Sequence, residues 1–315
     1  FVRDERLAAL RAPLDAALRA ELPDECDGVT THWQRDADEH GVRLPVGGAP
    51  GDGVEHRVTI TSVREFMRNY VGGDVRTAVD WCTVPQQRLL GFAAGGAVFH
   101  DGTGELTAAR ARLREYPLDV RRYAVAARLT RVSQEDHLMG RAGMVGDELG
   151  ASLLASRIAV DLVELLFLLN HRYAPYSKWL GTALVRELDA VPPHIVAALL
   201  RLSTARERTP REAAYVECAT FVAAECVRWH RQQAAGGAAG ADDVTPRVVQ
   251  FHGRPLRVLD SVRFVGAVRA AIGDEHVRAL PPTLGTIDCW SHNVDVLENV
   301  AHRALYAAMY KAQVS

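Results

Sequence analysis

The sequence predicts a mainly helical protein: a short α/β opening, then a helical bundle, then a small α+β C-terminal region. Three observations predict it. From residue 76 onward, apolar residues recur at spacings of three and four through successive segments, the period of one helix face. Glycine and proline punctuate those segments at close intervals, so the helices are joined by short connections, as in a bundle. Strand signals are confined to the two ends of the chain. The expected divisions are residues 1–75, 76–235 and 244–315, with a Gly/Ala-rich flexible linker at 234–243.

The elements follow in order. Residues 4–22 carry Leu7, Leu10, Leu14, Leu18 and Leu22 on one helical face, with Asp4 as N-cap. Phe1 and Val2 read as the tail of a strand. Residues 29–33 read as a short strand, and 45–53 as a Gly/Pro loop. Residues 56–61 alternate and are rich in Val, Ile and Thr, a strand signal. Ser62 then caps a helix that Gly72-Gly73 ends. Helices are predicted at 85–94, 106–116 and 118–138, the last with Pro117 at its first turn. Gly140, Gly143 and Gly146 predict a loop. A long helix over 147–172 turns Leu153, Leu154, Ile158, Leu162, Leu165, Leu166 and Leu169 inward. Further helices are predicted at 178–188, 193–202, 210–233, 261–272 and 296–310. A hairpin about His252-Gly253 joins strands 248–251 and 255–259.

Composition narrows the function classes. The 315 residues are 48% hydrophobic with a formal net charge of −2, which suits a globular protein with a sizeable core. A pI near 6.7 gives no electrostatic footprint for general nucleic-acid or membrane-surface binding. No run approaches the roughly 18 apolar residues of a spanning helix, and no apolar leader follows the charged residues Arg3–Arg6. The five cysteines form no CxxC, so a reducing cytoplasm is the expected compartment.

Candidate chemistry gathers in two places. The first is the turn Tyr176-Ser177-Lys178-Trp179 after the long apolar helix. Only Lys178 and Lys311 are lysines among 37 Lys and Arg residues. Lysine is a compact point charge suited to phosphate, so Lys178, with Tyr176 and Ser177, is a candidate contact for an anionic group such as a triphosphate. The alternative is an ordinary surface lysine in a connecting turn. The second place holds Gln134, Glu135, Arg141, Asp147 and Glu148 around three glycines. There Glu135 is a candidate general base, and the alternative is a solvated loop with Asp147 and Glu148 capping a helix. Asp161 and Glu164 interrupt an apolar helix, which implies a wet face or a buried pair. His100-Asp101 sits in a Gly-rich turn. Cys218, Cys226 and His230 have helical spacing for a metal, but no second ligand pair accompanies them. There is no P-loop, no GxGxxG after a strand and no GxSxG.

Several of these runs resemble a family when read together. They are Pro85-Gln-Gln-Arg-Leu-Leu90, Ala97-Val-Phe-His-Asp-Gly102, Gly140-Arg-Ala-Gly143, Gly146-Asp-Glu-Leu-Gly150 and Tyr173-Ala-Pro-Tyr-Ser-Lys-Trp-Leu-Gly181. With Phe264, Gly285-Thr-Ile-Asp288 and Asn293-Val-Asp-Val-Leu297, they resemble a bacterial family catalogued as domain of unknown function 4037. Members look like nucleotidyltransferase-fold proteins with a helical C-terminal bundle. The resemblance implies that residues 1–75 are part of a nucleotidyltransferase-like α/β domain. It implies nucleotidyl transfer from a nucleoside triphosphate to a small-molecule or other hydroxyl or phosphate acceptor, with Mg2+. Lys178, Tyr176, Ser177 and Arg141 would then contact the nucleotide, and Glu135 or Asp147 would activate the acceptor. The Gly-Ser loop and Asp-x-Asp pair that hold metal in such proteins are not found. Asp36-Ala-Asp38 has the trio but no preceding Gly-Ser. The expectation is that the chain begins after that pair, or is a degenerate relative, and is inactive by itself. The rival expectation is a non-catalytic helical module that binds a nucleotide or a protein partner.

Overall fold

The structure, a computed structural model, describes residues 1–35, 43–47, 53–233 and 244–311. The expected linker at 234–243, the Asp36-Ala-Asp38 trio and residues 48–52 of the expected loop lie outside the described residues. The chain divides into two compact units, Phe1–Gly73 and Asp74–Ser315.

In the first unit a 3-10 turn leads into α1 (Leu7–Glu21), whose one buried residue is Leu7. Two small antiparallel pairs follow: β1 (Glu25–Cys26) with β2 (Val29–Thr30), and β3 (Trp33–Arg35) with β4 (Arg43–Pro45). The first pair closes through Asp27 and Gly28, both at positive φ, the geometry of a tight two-residue hairpin turn. Helix α2 (Val63–Val71) starts where the Ser62 side chain accepts from the Glu65 N–H at 3.1 Å, and ends at Gly72 with φ 78°. The strand expected at residues 56–61 does not form. Side chains and loop carbonyls take the local donors instead. The Glu55 N–H bonds His32 Nδ1 at 2.9 Å, and the Val58 N–H bonds His56 Nδ1 at 3.1 Å. Val2 is likewise not in a strand; its N–H donates to the Thr61 carbonyl at 3.0 Å.

The second unit is mainly helical. It opens with α3 (Ala78–Thr83), held by a reciprocal capping box of Thr77 and Asp80, and α4 (Gln86–Ala94), which follows Pro85. Then come α5 (Glu105–Arg112), α6 (Leu118–Met144) and α7 (Glu148–Leu169). A 3-10 turn at Ser177–Trp179 precedes α8 (Leu180–Glu187), followed by α9 (Pro193–Thr204) and α10 (Arg208–Gln233). A hairpin of β5 (Arg247–Gln250) and β6 (Arg257–Asp260) pairs Val249 with Val258 and leads into α11 (Val262–Ala270). The chain closes with α12 (Glu275–Arg278), α13 (Ile287–Trp290), α14 (Val294–Glu298) and α15 (Arg303–Lys311).

Helices α6, α7, α9 and α10 enclose the core, where Leu129, Ile158, Leu162, Leu166, Leu202 and Val222 are buried. Each full burial of such a side chain stabilises by about 1.5–3 kcal/mol. Three expectations change. Helix α6 runs through Gly140 and Gly143 rather than stopping. These glycines admit neighbours: a Cβ on Gly140 would lie 3.1 Å from the Leu256 Cβ, and one on Gly143 would lie 3.1 Å from the Arg208 Cγ. Leu153 of α7 points outward, 60% exposed, because α6 covers only one side of the helix there. The single helix expected at 296–310 is broken at Asn299, whose side chain accepts from the Ala301 N–H at 3.1 Å and starts a new turn. Among the described residues no helix is long and apolar enough to cross a membrane.

Candidate functional site

Helices α6 and α7 form an antiparallel hairpin, and its seam carries charge. Arg121 meets His171 at one end, Arg128 meets Asp161 in the middle, and Glu135 meets Arg157 towards the other end. Arg128 and Asp161 are both fully buried, with Nη1 donating to Oδ1 at 2.6 Å. The second terminal nitrogen of Arg128 pairs with Glu164. Arg131 Nε donates to both oxygens of Asp161, at 2.8 and 3.0 Å. Burial pushes the Glu164 carboxyl up to about 7, against the pull of Arg128. So the carboxylates that interrupt the apolar helix form a buried arginine lattice rather than a wet face.

The C-terminal segment adds to this seam. Asp288, at the start of α13, accepts the Gln86 N–H on both oxygens at 3.2 Å. Gln86 Oε1 in turn accepts the Ala174 N–H at 3.0 Å. Burial pushes Asp288 up to about 6, partly offset by Arg128 and by the Gln86 N–H. Gln86 Nε2 is buried with no hydrogen-bond partner among the described residues.

The residues singled out from sequence fall in separate places. Glu135 is buried at 7% exposure. One of its oxygens pairs with Arg157 and lies 3.9 Å from Arg131, while Oε2 has no hydrogen-bond partner among the described residues. Asp147 is exposed and caps α7 by accepting the Gly150 N–H at 2.8 Å. Arg141 is exposed on the last turn of α6. From Glu135 to the end of α6 at Met144 is roughly 14 Å of helix, so Glu135 and the Asp147 cap sit at different levels. Ser177 and Lys178 are exposed and Tyr176 is half-buried. Lys178 Nζ lies 5.6 Å from the Tyr176 ring centroid and 5.5 Å from that of Trp179, which is 55% exposed. Among the described residues, no hydrogen bond or ion pair joins this turn to Glu135, Arg141 or Asp147. Asp101 holds the start of α5, accepting the Thr107 N–H at 2.8 Å, which lowers its pKa.

Sequence reasoning missed Gln86 and Asp288 as partners, because 202 residues separate them and no local pattern links them. It also passed over Asp136, one position after Glu135 and the centre of a different buried cluster described below.

Among the described residues, no set of three or more His, Cys, Asp or Glu side chains gathers about a common point. Asp161, Glu164 and Glu135 are already answered by arginine. The thiols of Cys218 and Cys226 are buried, and burial pushes Cys218 up to about 12, far from the thiolate a metal needs.

No curated protein and no solved structure matches the chain. A family model matches residues 81–180, from within α3 to the start of α8. That segment contains Gln86, the arginine lattice and the aromatic turn. Residues 81–180 are thus similar to the family described as Domain of unknown function (DUF4037).

Proposed function

We propose that the chain is a nucleotidyltransferase-like protein whose helical unit holds a nucleoside triphosphate at the turn of residues 176–179. The observation that carries the reading is the placement of Lys178 between the Tyr176 and Trp179 rings on an exposed turn. A nucleotide offers a flat π-face and a polyanion. An exposed indole stacks on the first, by about 1–3 kcal/mol per base. The ammonium meets the second, and the flanking ring faces attract a cation. Ser177 adds a hydroxyl beside it, and Arg141 is the second cation in this proposal.

In the transfer step, an acceptor oxygen attacks the α-phosphorus, the bond to the bridging oxygen breaks, and pyrophosphate leaves. The acceptor proton passes to a carboxylate. Glu135 has one oxygen without a partner and Asp147 is open to solvent, so these two remain the proposed acceptors of that proton. The resemblance brings Mg2+ with the nucleotide. The described carboxylates do not fit that ion, and no step is derived through it.

A second reading has its own support. Glu135 is engaged by arginine and Asp147 by a helix cap, so both have structural employment. This favours nucleotide binding without transfer. One titration tests the binding they share. ATP is expected to quench Trp179 fluorescence saturably, and Lys178→Ala to weaken binding by about tenfold, the worth of one charge-assisted hydrogen bond. Unchanged affinity in Lys178→Ala would remove the phosphate assignment. Pyrophosphate release with ATP, Mg2+ and candidate acceptors separates transfer from binding alone.

A further inference from the structure

Asp136 lies on α6 next to Glu135, yet its partners differ in kind. Oδ2 accepts from the Tyr215 hydroxyl at 2.6 Å and from the Leu259 N–H at 2.9 Å. Oδ1 accepts from the His137 N–H at 2.6 Å. All three donors are neutral. The side chain is buried, at 1% exposure. Burial pushes its carboxyl up to about 6 in spite of those bonds. Asp161, Glu164 and Glu135 each face an arginine. Among the described residues Asp136 makes no ion pair.

Asp136 also lines a cavity of about 350 Å³ between α6 and the β5–β6 hairpin. That volume lies within the range of small-molecule sites, about 300–1,000 Å³. Val249, Val258, Val262 and Phe251 give the cavity apolar walls. Asp260, half-buried at the end of β6, brings a second carboxylate to the same lining. A desolvated carboxylate without a counter-charge is costly, and a cation delivered to it recovers much of that cost. Among the described residues, the available volume adjoins the one buried acid of this helix pair that lacks a cation.

We propose that this cavity binds a small organic cation, a primary ammonium on an apolar body, with the ammonium between Asp136 and Asp260 and the hydrocarbon against Val249, Val258 and Phe251. An ammonium has three donors and no acceptor, which suits a lining that offers two carboxylates beside the His252 imidazole. A flat hydrocarbon body suits the Phe251 ring, which already makes edge contacts with His137 and His252. The proposal uses none of the residues of the nucleotide turn, so either reading stands or falls without the other.

The test is calorimetric titration of the full chain with phenethylamine, 2-phenylethanol and phenylacetate, which share a ring and differ in charge. Phenethylamine is expected to bind saturably at one site, and the alcohol and the acid at least tenfold more weakly. Asp260→Asn is expected to weaken the amine by about fivefold, the effect of one partly exposed charge. Val249→Trp fills the cavity and is expected to abolish binding, with circular dichroism reporting an intact fold. If that variant does not fold, Asp260→Asn decides by itself. The proposal is overturned if the amine does not saturate, if the alcohol binds as tightly, or if either folded variant binds like the parent.

Discussion

Asp161 of α7 and Asp136 of α6 are both buried, and the protein treats them in opposite ways. Asp161 is surrounded by Arg128 and Arg131 at hydrogen-bond distance. Asp136 is held by a phenol and two backbone N–H groups. The first arrangement keeps a charge buried by pairing it. The second holds a carboxyl with neutral donors alone, and uses it to pin β6 to α6 and α10. Within one helix pair, the same residue type therefore serves as an arginine-paired group in one place and as a clasp on neutral donors in another.

The largest expected effect breaks the paired arrangement. Arg128→Met leaves Glu164 without its arginine and Asp161 with one fewer, and is expected to cost about 3–5 kcal/mol in urea unfolding. Replacing Asp161 and Glu164 by leucine in the same chain is expected to return most of that loss, because no charge is then left unpaired. A single variant as stable as the parent would mean that the lattice is not what stabilises the seam.

Removing the clasp comes next. Asp136→Ala leaves the Tyr215 hydroxyl buried without its acceptor and the Leu259 N–H with the Tyr215 oxygen alone, at 3.1 Å, at an expected cost of about 2–3 kcal/mol. Hydrogen exchange at Val258 and Leu259 should quicken in this variant, while exchange within α7 stays slow.

The pH dependence follows from both arrangements and is smaller. Glu164, Asp288 and Asp136 are raised, to about 7, about 6 and about 6. The folded chain therefore takes up these protons before the unfolded chain does, whose carboxyls hold theirs only near pH 4. Stability from this source is gained as pH falls from 7 towards 5, and is complete near 4. Below that, Asp119 works in the opposite direction: partial burial would raise its pKa, but the Asp274 N–H and Arg122 outweigh it and hold it low. The urea midpoint is thus expected to be higher at pH 5 than at pH 7, by roughly 1–3 kcal/mol of stability. Asp136→Asn should flatten part of that slope. A midpoint that falls between pH 7 and pH 5 would contradict the assignment. The smallest effect lies far from either acid. Thr77→Ala removes one half of the α3 capping box and should cost about 1 kcal/mol without changing the pH slope.

Much of the helical order was legible because periodicity and proline are local signals. Pro85, Pro117 and Pro193 stand at helix starts, where the lost N–H costs nothing. His252-Gly253 marked the hairpin for a similar local reason, both residues having positive φ. Gly140 and Gly143 misled, since a glycine that admits a neighbouring chain looks in sequence like one that ends a helix. Residues 56–61 misled because alternation cannot show whether a partner strand exists. At the candidate site, Lys178 and its aromatic flank were visible as a composition anomaly. The neighbours of Asp136 and Asp288 were not, because each depends on contacts more than 70 residues away in the chain.

The bond between Gln86 and Asp288 has a consequence for biosynthesis. At about 5–20 residues per second, the 202 residues between them take roughly 10–40 s to make. For that interval the Gln86 N–H at the start of α4 has no acceptor from Asp288, and Cys82 and Gly285 are not yet bridged by the Tyr310 hydroxyl. The start of the bundle is thus fastened by segments made about 200 residues after it. A nascent chain stalled before Asp288 should be captured by chaperones and cut by proteases at α3 and α4, and lose that sensitivity once α13 and α15 have emerged.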